Sequence, residues 1–233
     1  MPRSELTIDL GALRRNVRTL LRALDGAALW AVVKADGYGH GAVDVSRAAL
    51  EAGASALCVA TIPEAVELRG AFPDARILCR GSAEQDELRD ARQAGVEVAW
   101  SGGEVPEGVR VHVKLDTGMG RYGLAELPAP TRDVVGLMSH LASSDSDRGF
   151  TEHQIERFRL ETAPYSDLTR HLANSAAALR LPEAQFRVIH MRFVEQKSIR
   201  EIAQELGRSE GVVKQLQLCA IESLRAQMEG AHA

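Results

Sequence analysis

The sequence predicts an α/β protein built on a parallel sheet, followed by a small all-α helix-turn-helix domain. Three observations point there. Short apolar runs alternate with stretches of helical spacing up to about residue 181, the rhythm of βαβ units. That rhythm stops at Leu181-Pro182, and the residues beyond it read as amphipathic helices. With 233 residues and 45% hydrophobic content, the chain can supply one large and one small core. The expected domains are therefore 1–181 and 182–233, with no linker rich in Gly, Ser or Pro between them.

Seven candidate strands lie at 28–34, 56–60, 76–80, 96–101, 109–115, 134–140 and 168–173. The linkers 43–52, 63–72 and 84–94 have helical spacing, so the strands they join should run parallel. A barrel or a doubly wound sheet follows. After Trp100 the helices thin: SGGEVPEG and AELPAPTRD are too short and too rich in Gly or Pro for good crossover helices. Helical spacing returns at 151–164, with Ile155, Phe158 and Leu160 as the expected buried positions.

The net charge of −4 gives no overall signal for nucleic acid, an anionic membrane or an acidic substrate, so charge has to be judged locally. Cys58, Cys79 and Cys219 lack CxxC or CxxH spacing, which indicates neither a disulfide framework nor a structural zinc site. The opening MPRSELTIDLGALRRN has no apolar signal-peptide core, and no run approaches the roughly 18 apolar residues of a membrane span. The expectation is a cytoplasmic protein without a membrane partner or a metal.

The chemistry concentrates in AVVKADGYGHG, residues 31–41. A lysine directly after an apolar strand projects at the strand's carboxyl end, where barrel enzymes place their active sites. Gly37, Gly39 and Gly41 let backbone approach a ligand closely, with Tyr38 between them. Desolvation at such a place lowers a lysine's pKa and makes it a nucleophile for a carbonyl.

VVKADGYGHG, VHVKLDTGMGRYGL, LMSHLASSD and HLANSAA, in that order, resemble the successive motifs of bacterial alanine racemases over roughly residues 4–181. The resemblance implies a truncated (β/α)8 TIM-type barrel that binds pyridoxal 5'-phosphate and acts on alanine. Lys34 would be the Schiff-base lysine and the catalytic base of one face, Tyr38 would lie near the cofactor phosphate, and His140 beside the pyridine ring. Asn174 and Ser175 match the phosphate-binding segment. Arg121 matches the arginine near the cofactor's phenolic oxygen and the substrate carboxylate, and Lys114 the lysine that positions it. The family pattern continues with an eighth strand bearing an arginine, then a β-rich domain supplying a tyrosine as second base across a dimer. The residues after 181 match neither, so impaired isomerase activity is expected, together with dimerisation or self-association.

Those residues are LPEAQFRVIHMRFVEQKSIREIAQELGRSEGVVKQLQLCAIESLRAQMEG. Helices are expected over 182–194, 198–206 and from 209 to about 227. Ser198 and Glu201 form a capping box, and Ile199, Ile202, Ala203 and Leu206 share one face. Gly207 permits the turn, Ser209 caps the last helix, and Val213, Leu216, Ala220 and Leu224 make its buried stripe. The segment resembles region 4 of bacterial sigma factors. That resemblance implies promoter DNA and the RNA polymerase flap as partners, with Arg208, Ser209, Glu210, Lys214 and Gln215 at the DNA. Seven acidic and seven basic residues from Glu183 onward leave the module neutral, against the basic face that phosphate binding favours. A transcription-related DNA-binding protein is thus the alternative reading, and a non-functional hybrid a third.

Overall fold

The structure, a computed structural model, describes residues 5–24, 26–179, 197–207, 209–214 and 216–217. The chain divides into two compact units, Met1–Ala176 and Ala177–Ala233. Among the described residues, no helix is long and apolar enough to cross a membrane.

All seven expected strands form. They are β1 (Trp30–Val32), β2 (Ala56–Val59), β3 (Ile77–Cys79), β4 (Glu97–Trp100), β5 (Val111–Lys114), β6 (Val134–Met138) and β7 (Thr169–His171). Each pairs in parallel with the next, in the order β1-β2-β3-β4-β5-β6-β7. A doubly wound sheet would reverse its strand order partway, so this singly wound order selects the barrel type. The sheet also curls. The Trp30 ring on β1 lies 4.8 Å from the His171 ring on β7 and 5.4 Å from that of His112 on β5. Seven flat strands would hold β1 and β7 roughly 29 Å apart at the usual interstrand spacing.

Helices cover the first half of the sheet. α1 (Leu10–Ala23) is an addition to the elements expected from sequence; Asp9 caps it by accepting from the Ala12 N–H. Its Leu13, Val17, Leu20 and Leu21 pack with Leu29, Ala49 and Ala54. The segment α2 (Lys34–Gly39) follows β1, then α3 (Ala42–Glu51), α4 (Ile62–Ala71) and α5 (Gln85–Gln93) fall on the three expected helical linkers. Residues 101–110 and 115–133 contain no helix, as their Gly and Pro content requires. α6 (Arg148–Thr162) restores the pattern, but with a different buried face. Phe158 is buried as expected, whereas Ile155 and Leu160 are exposed and Thr151, Gln154 and Thr162 are buried instead. The short α7 (Ser175–Leu179) follows β7.

In the second unit, α8 (Ile199–Leu206) carries the expected Ser198–Glu201 capping box and ends on Gly207 at φ 61°. Ser209 Oγ accepts from the Val212 N–H at the start of helical residues 210–214. Ile202, Ala203 and Val213 form a small core with Ile199, Leu206 and Leu216 around it. The expected helix 182–194, and Ala220 and Leu224, lie outside the described residues.

Candidate active site

Parallel strands put all their carboxyl ends at one mouth of the sheet. There Lys34 follows β1, Arg80 follows β3, Lys114 ends β5, His140 follows β6 and Asn174 follows β7.

Lys34 stands at the start of an unusual turn. Ala35, Asp36, Gly37 and Tyr38 are all left-handed, with φ between 51° and 62°. For residues with a Cβ this conformation costs roughly 1–2 kcal/mol each, so other contacts must hold it. Glu64 of α4 supplies them. Its Oε1 accepts from the Ala35 N–H at 2.7 Å, while its Oε2 accepts from Ala60 and Thr61 at 2.8 and 3.1 Å. Burial pushes the Glu64 carboxyl up, but these backbone donors outweigh it and leave its pKa lowered. Asp36 Oδ1 accepts from the Ala42 N–H at 2.6 Å and so joins the turn to α3. Lys34 Nζ ends 5.8 Å from the centre of the Tyr38 ring. Lys34 itself leaves the sheet beyond buried Val33 and is exposed, rather than buried as expected from sequence.

Lys114 is buried, and its Nζ donates to the Arg121 carbonyl at 2.8 Å, which fixes the loop that carries Arg121. Burial, then the charges of Arg121 and Arg80, lower its pKa. The DTGMG turn is built on Asp116, whose carboxylate accepts from the N–H groups of Gly118, Met119 and Gly120. Asp116 thereby serves its own loop rather than pairing with the Arg121 side chain.

His140 sits at the convergence of the cations. Burial, then Arg80, Lys114, Arg121 and Lys34 in turn, push it down to about 4, so the ring is neutral near pH 7. Gln154 of α6 fixes its backbone: Nε2 donates to the His140 carbonyl at 3.1 Å, and Oε1 accepts from the Ala142 N–H at 2.9 Å. Asn174 Oδ1 accepts from Ser144 Oγ at 2.8 Å, beside the same β6 loop; Ser175 is exposed at the start of α7. The structure thus brings Lys34, Lys114, Arg121 and His140 together.

Sequence reading missed three groups. Arg80 was detectable by analogy, because ILCR repeats the pattern of AVVK: an apolar strand ending in a cation. Glu64 and Gln154 gave no such signal, since each works through backbone partners distant in sequence. Below the mouth lies a network also unforeseen. Buried Glu97 pairs with Arg76 at 2.9 Å, Arg110 at 3.1 Å and His112 at 2.7 Å, and His112 Nδ1 lies 2.8 Å from His171 Nε2. A neutral His112 that donates to Glu97 must accept at Nδ1, so His171 is the donor there. In the second unit Ser209, Glu210 and Lys214 are exposed, while Arg208 and Gln215 lie outside the described residues.

Residues 8–193 match the family described as alanine racemase, N-terminal domain, and residues 177–226 match sigma-70, region 4. The chain is 38% identical over 209 residues to the alanine racemase of Symbiobacterium thermophilum, covering 78% of this chain and 55% of that one. Against that of Beutenbergia cavernae it is 42% identical over 212 residues, covering 78% and 56%. Among solved structures, alanine racemase from E. faecalis superposes with a TM-score of 0.67 at 33% identity, covering 76% and 55% of the two chains. That from Streptomyces coelicolor A3(2) gives 0.65 at 39%, covering 75% and 55%. The chain spans about half the length of the relatives it matches.

Proposed function

Because this chain belongs to the family of alanine racemase N-terminal domains over residues 8–193, we propose that its barrel mouth holds pyridoxal 5'-phosphate and works on the α-carbon of a small amino acid, alanine first. The observation that supports this best is electrostatic. Lys34, Arg80, Lys114 and Arg121 converge on His140, and none has a carboxylate within ion-pair distance among the described residues. Uncompensated cations at a strand-end mouth suit a phosphorylated cofactor and an amino acid carboxylate.

In this reading Lys34 would hold the cofactor through its carbonyl group and would move the α-proton on its own face. Tyr38, Asn174 and Ser175 would bind the cofactor's phosphate. Arg121 orients the substrate carboxylate, and Lys114 positions Arg121 through its carbonyl. His140, held neutral, would stand beside the cofactor's ring. When bound, the cofactor supplies an electron sink for carbon-acid chemistry. The domain boundary belongs near residue 181, inside the stretch 177–193 that both family matches include. Adding pyridoxal 5'-phosphate to the purified chain should give a visible absorption band that Lys34→Ala lacks. A band of equal intensity in that variant would overturn the assignment.

The second unit supports a second reading. Its capped α8, left-handed Gly207 and exposed Ser209, Glu210 and Lys214 have the form of a helix-turn-helix. We infer weak DNA binding through residues 208–215. Fluorescence anisotropy with a labelled promoter duplex should show binding that falls with salt and weakens in Lys214→Ala. Salt-independent anisotropy would count against it.

A further inference from the structure

We propose that Arg80 determines specificity at the barrel mouth: its guanidinium takes the second acid group of an amino dicarboxylic acid, extending the substrate class from alanine to the aspartate type. The inference rests on the reading of this mouth as the ligand site.

Arg80 follows β3 in the position that Lys34 holds after β1, so both open onto the same end of the parallel sheet. It is half-buried, and one nitrogen, Nη2, lies 3.5 Å from His140 Nδ1. A guanidinium only donates, so Nδ1 accepts and the proton of neutral His140 sits on Nε2. One of five Arg80 N–H donors is then directed at His140; no other partner of the guanidinium is found among the described residues. The contrast with the layer below is sharp. Arg76 and Arg110 share the Glu97 carboxylate, and Arg76 also stacks 4.5 Å from the centre of the Trp30 ring. Arg76 and Arg110 are thus paired with a buried carboxylate, whereas Arg80 has no carboxylate partner among the described residues.

The nearby carboxylates are committed elsewhere: Asp116 to the N–H groups of its turn, Glu64 to those of Ala35, Ala60 and Thr61. A phosphate monoester brings about two negative charges and an amino acid carboxylate one more. In the reading above Lys34 is given to the cofactor and Arg121 to the amino acid carboxylate, which leaves the Arg80 guanidinium with no anion assigned to it. A carboxylate fits the planar fork of a guanidinium with two parallel hydrogen bonds, which makes a second carboxylate the matching group.

The test uses succinate, a dicarboxylate that forms no bond with the cofactor, against succinamate, which has the same length but one charge fewer. Calorimetric titrations of the full chain are run with and without pyridoxal 5'-phosphate. Succinate should bind at least about tenfold more tightly than succinamate, and Arg80→Gln should reduce that preference to about twofold or less. Arg80→Lys, which keeps the charge but not the fork, should fall between, and it decides the matter if Arg80→Gln fails to fold. Equal binding of the two probes, or a preference unchanged in a folded variant, overturns the proposal. It is also overturned if Arg80→Gln weakens pyridoxal phosphate relative to pyridoxal while leaving the succinate preference intact, because Arg80 then serves the cofactor. An Arg80-dependent preference in a chain that takes up no cofactor upholds the proposal and overturns the cofactor reading instead.

Discussion

At the residue scale, the mouth of the sheet depends on how Lys34 is presented. Three residues with side chains adopt left-handed backbone after Lys34, and the Glu64 carboxylate is what ties that turn to α4. Glu64→Ala removes an acceptor from three backbone donors. Chemical denaturation should show a loss of about 2 kcal/mol, in the range for hydrogen bonds to a charged group; a loss below about 0.5 kcal/mol would mean that the turn is held by other contacts. Lys34 was legible in the sequence because it sits just beyond an apolar strand, whereas Lys114, Arg121 and His140 were legible through the motifs that carry the family resemblance. Glu64 was not. Its partner Ala35 lies 29 positions away, and as the third residue of a helix it reads as an ordinary capping glutamate.

Among the elements, the strands were legible because buried parallel strands are short apolar runs, and the poor crossovers after Trp100 because Gly and Pro exclude helix. α6 was misread for a physical reason. Its buried face includes Thr151, Gln154 and Thr162, polar side chains satisfied by hydrogen bonds that apolar periodicity cannot detect. β6 shows a matching constraint: a Cβ on Gly136 would overlap His112 Nδ1 and come within 3.0 Å of the Thr169 carbonyl. Gly136→Ala should therefore cost about 3 kcal/mol on denaturation, the upper end for overpacking, and an unchanged midpoint would show that the His112–His171 pair can move aside. Those histidines also set an acid limit. Burial, with His112 and Arg80 adding to it, holds His171 down to about 3, and His140 is held to about 4. Unfolded, both return to about 6.5 and bind protons that the folded state refuses. Their contribution is complete above about pH 6.5 and lost as the pH falls toward 4 and then 3. Thermal unfolding should shift downward across that window, and a flat profile would show the rings to be solvated. Finally, β1 and β7 each have one paired neighbour among the described residues, and open strand edges recruit other chains. Sedimentation should show concentration-dependent association; a strictly monomeric chain would show the edges to be covered.

The whole molecule joins a barrel unit of one family to a segment matching another, and what it can do follows from which groups reach the mouth. Lys34 is the exposed amine beyond the end of β1, and the role proposed for it serves one face of a substrate α-carbon. A general base contributes typically 10²- to 10⁴-fold, so a site working from one face should exchange the α-proton of D-alanine with heavy water faster than it converts D- to L-alanine. Racemisation at least as fast as exchange would reveal a second base. All of this presupposes that Lys34 is the residue that takes the cofactor. The direct measurement is borohydride reduction of the chain mixed with pyridoxal 5'-phosphate, followed by peptide mapping by mass spectrometry. The peptide containing Lys34 should carry a pyridoxyl mass increment that is lost in Lys34→Ala. Labelling spread over other lysines, or undiminished in the variant, would contradict this assignment.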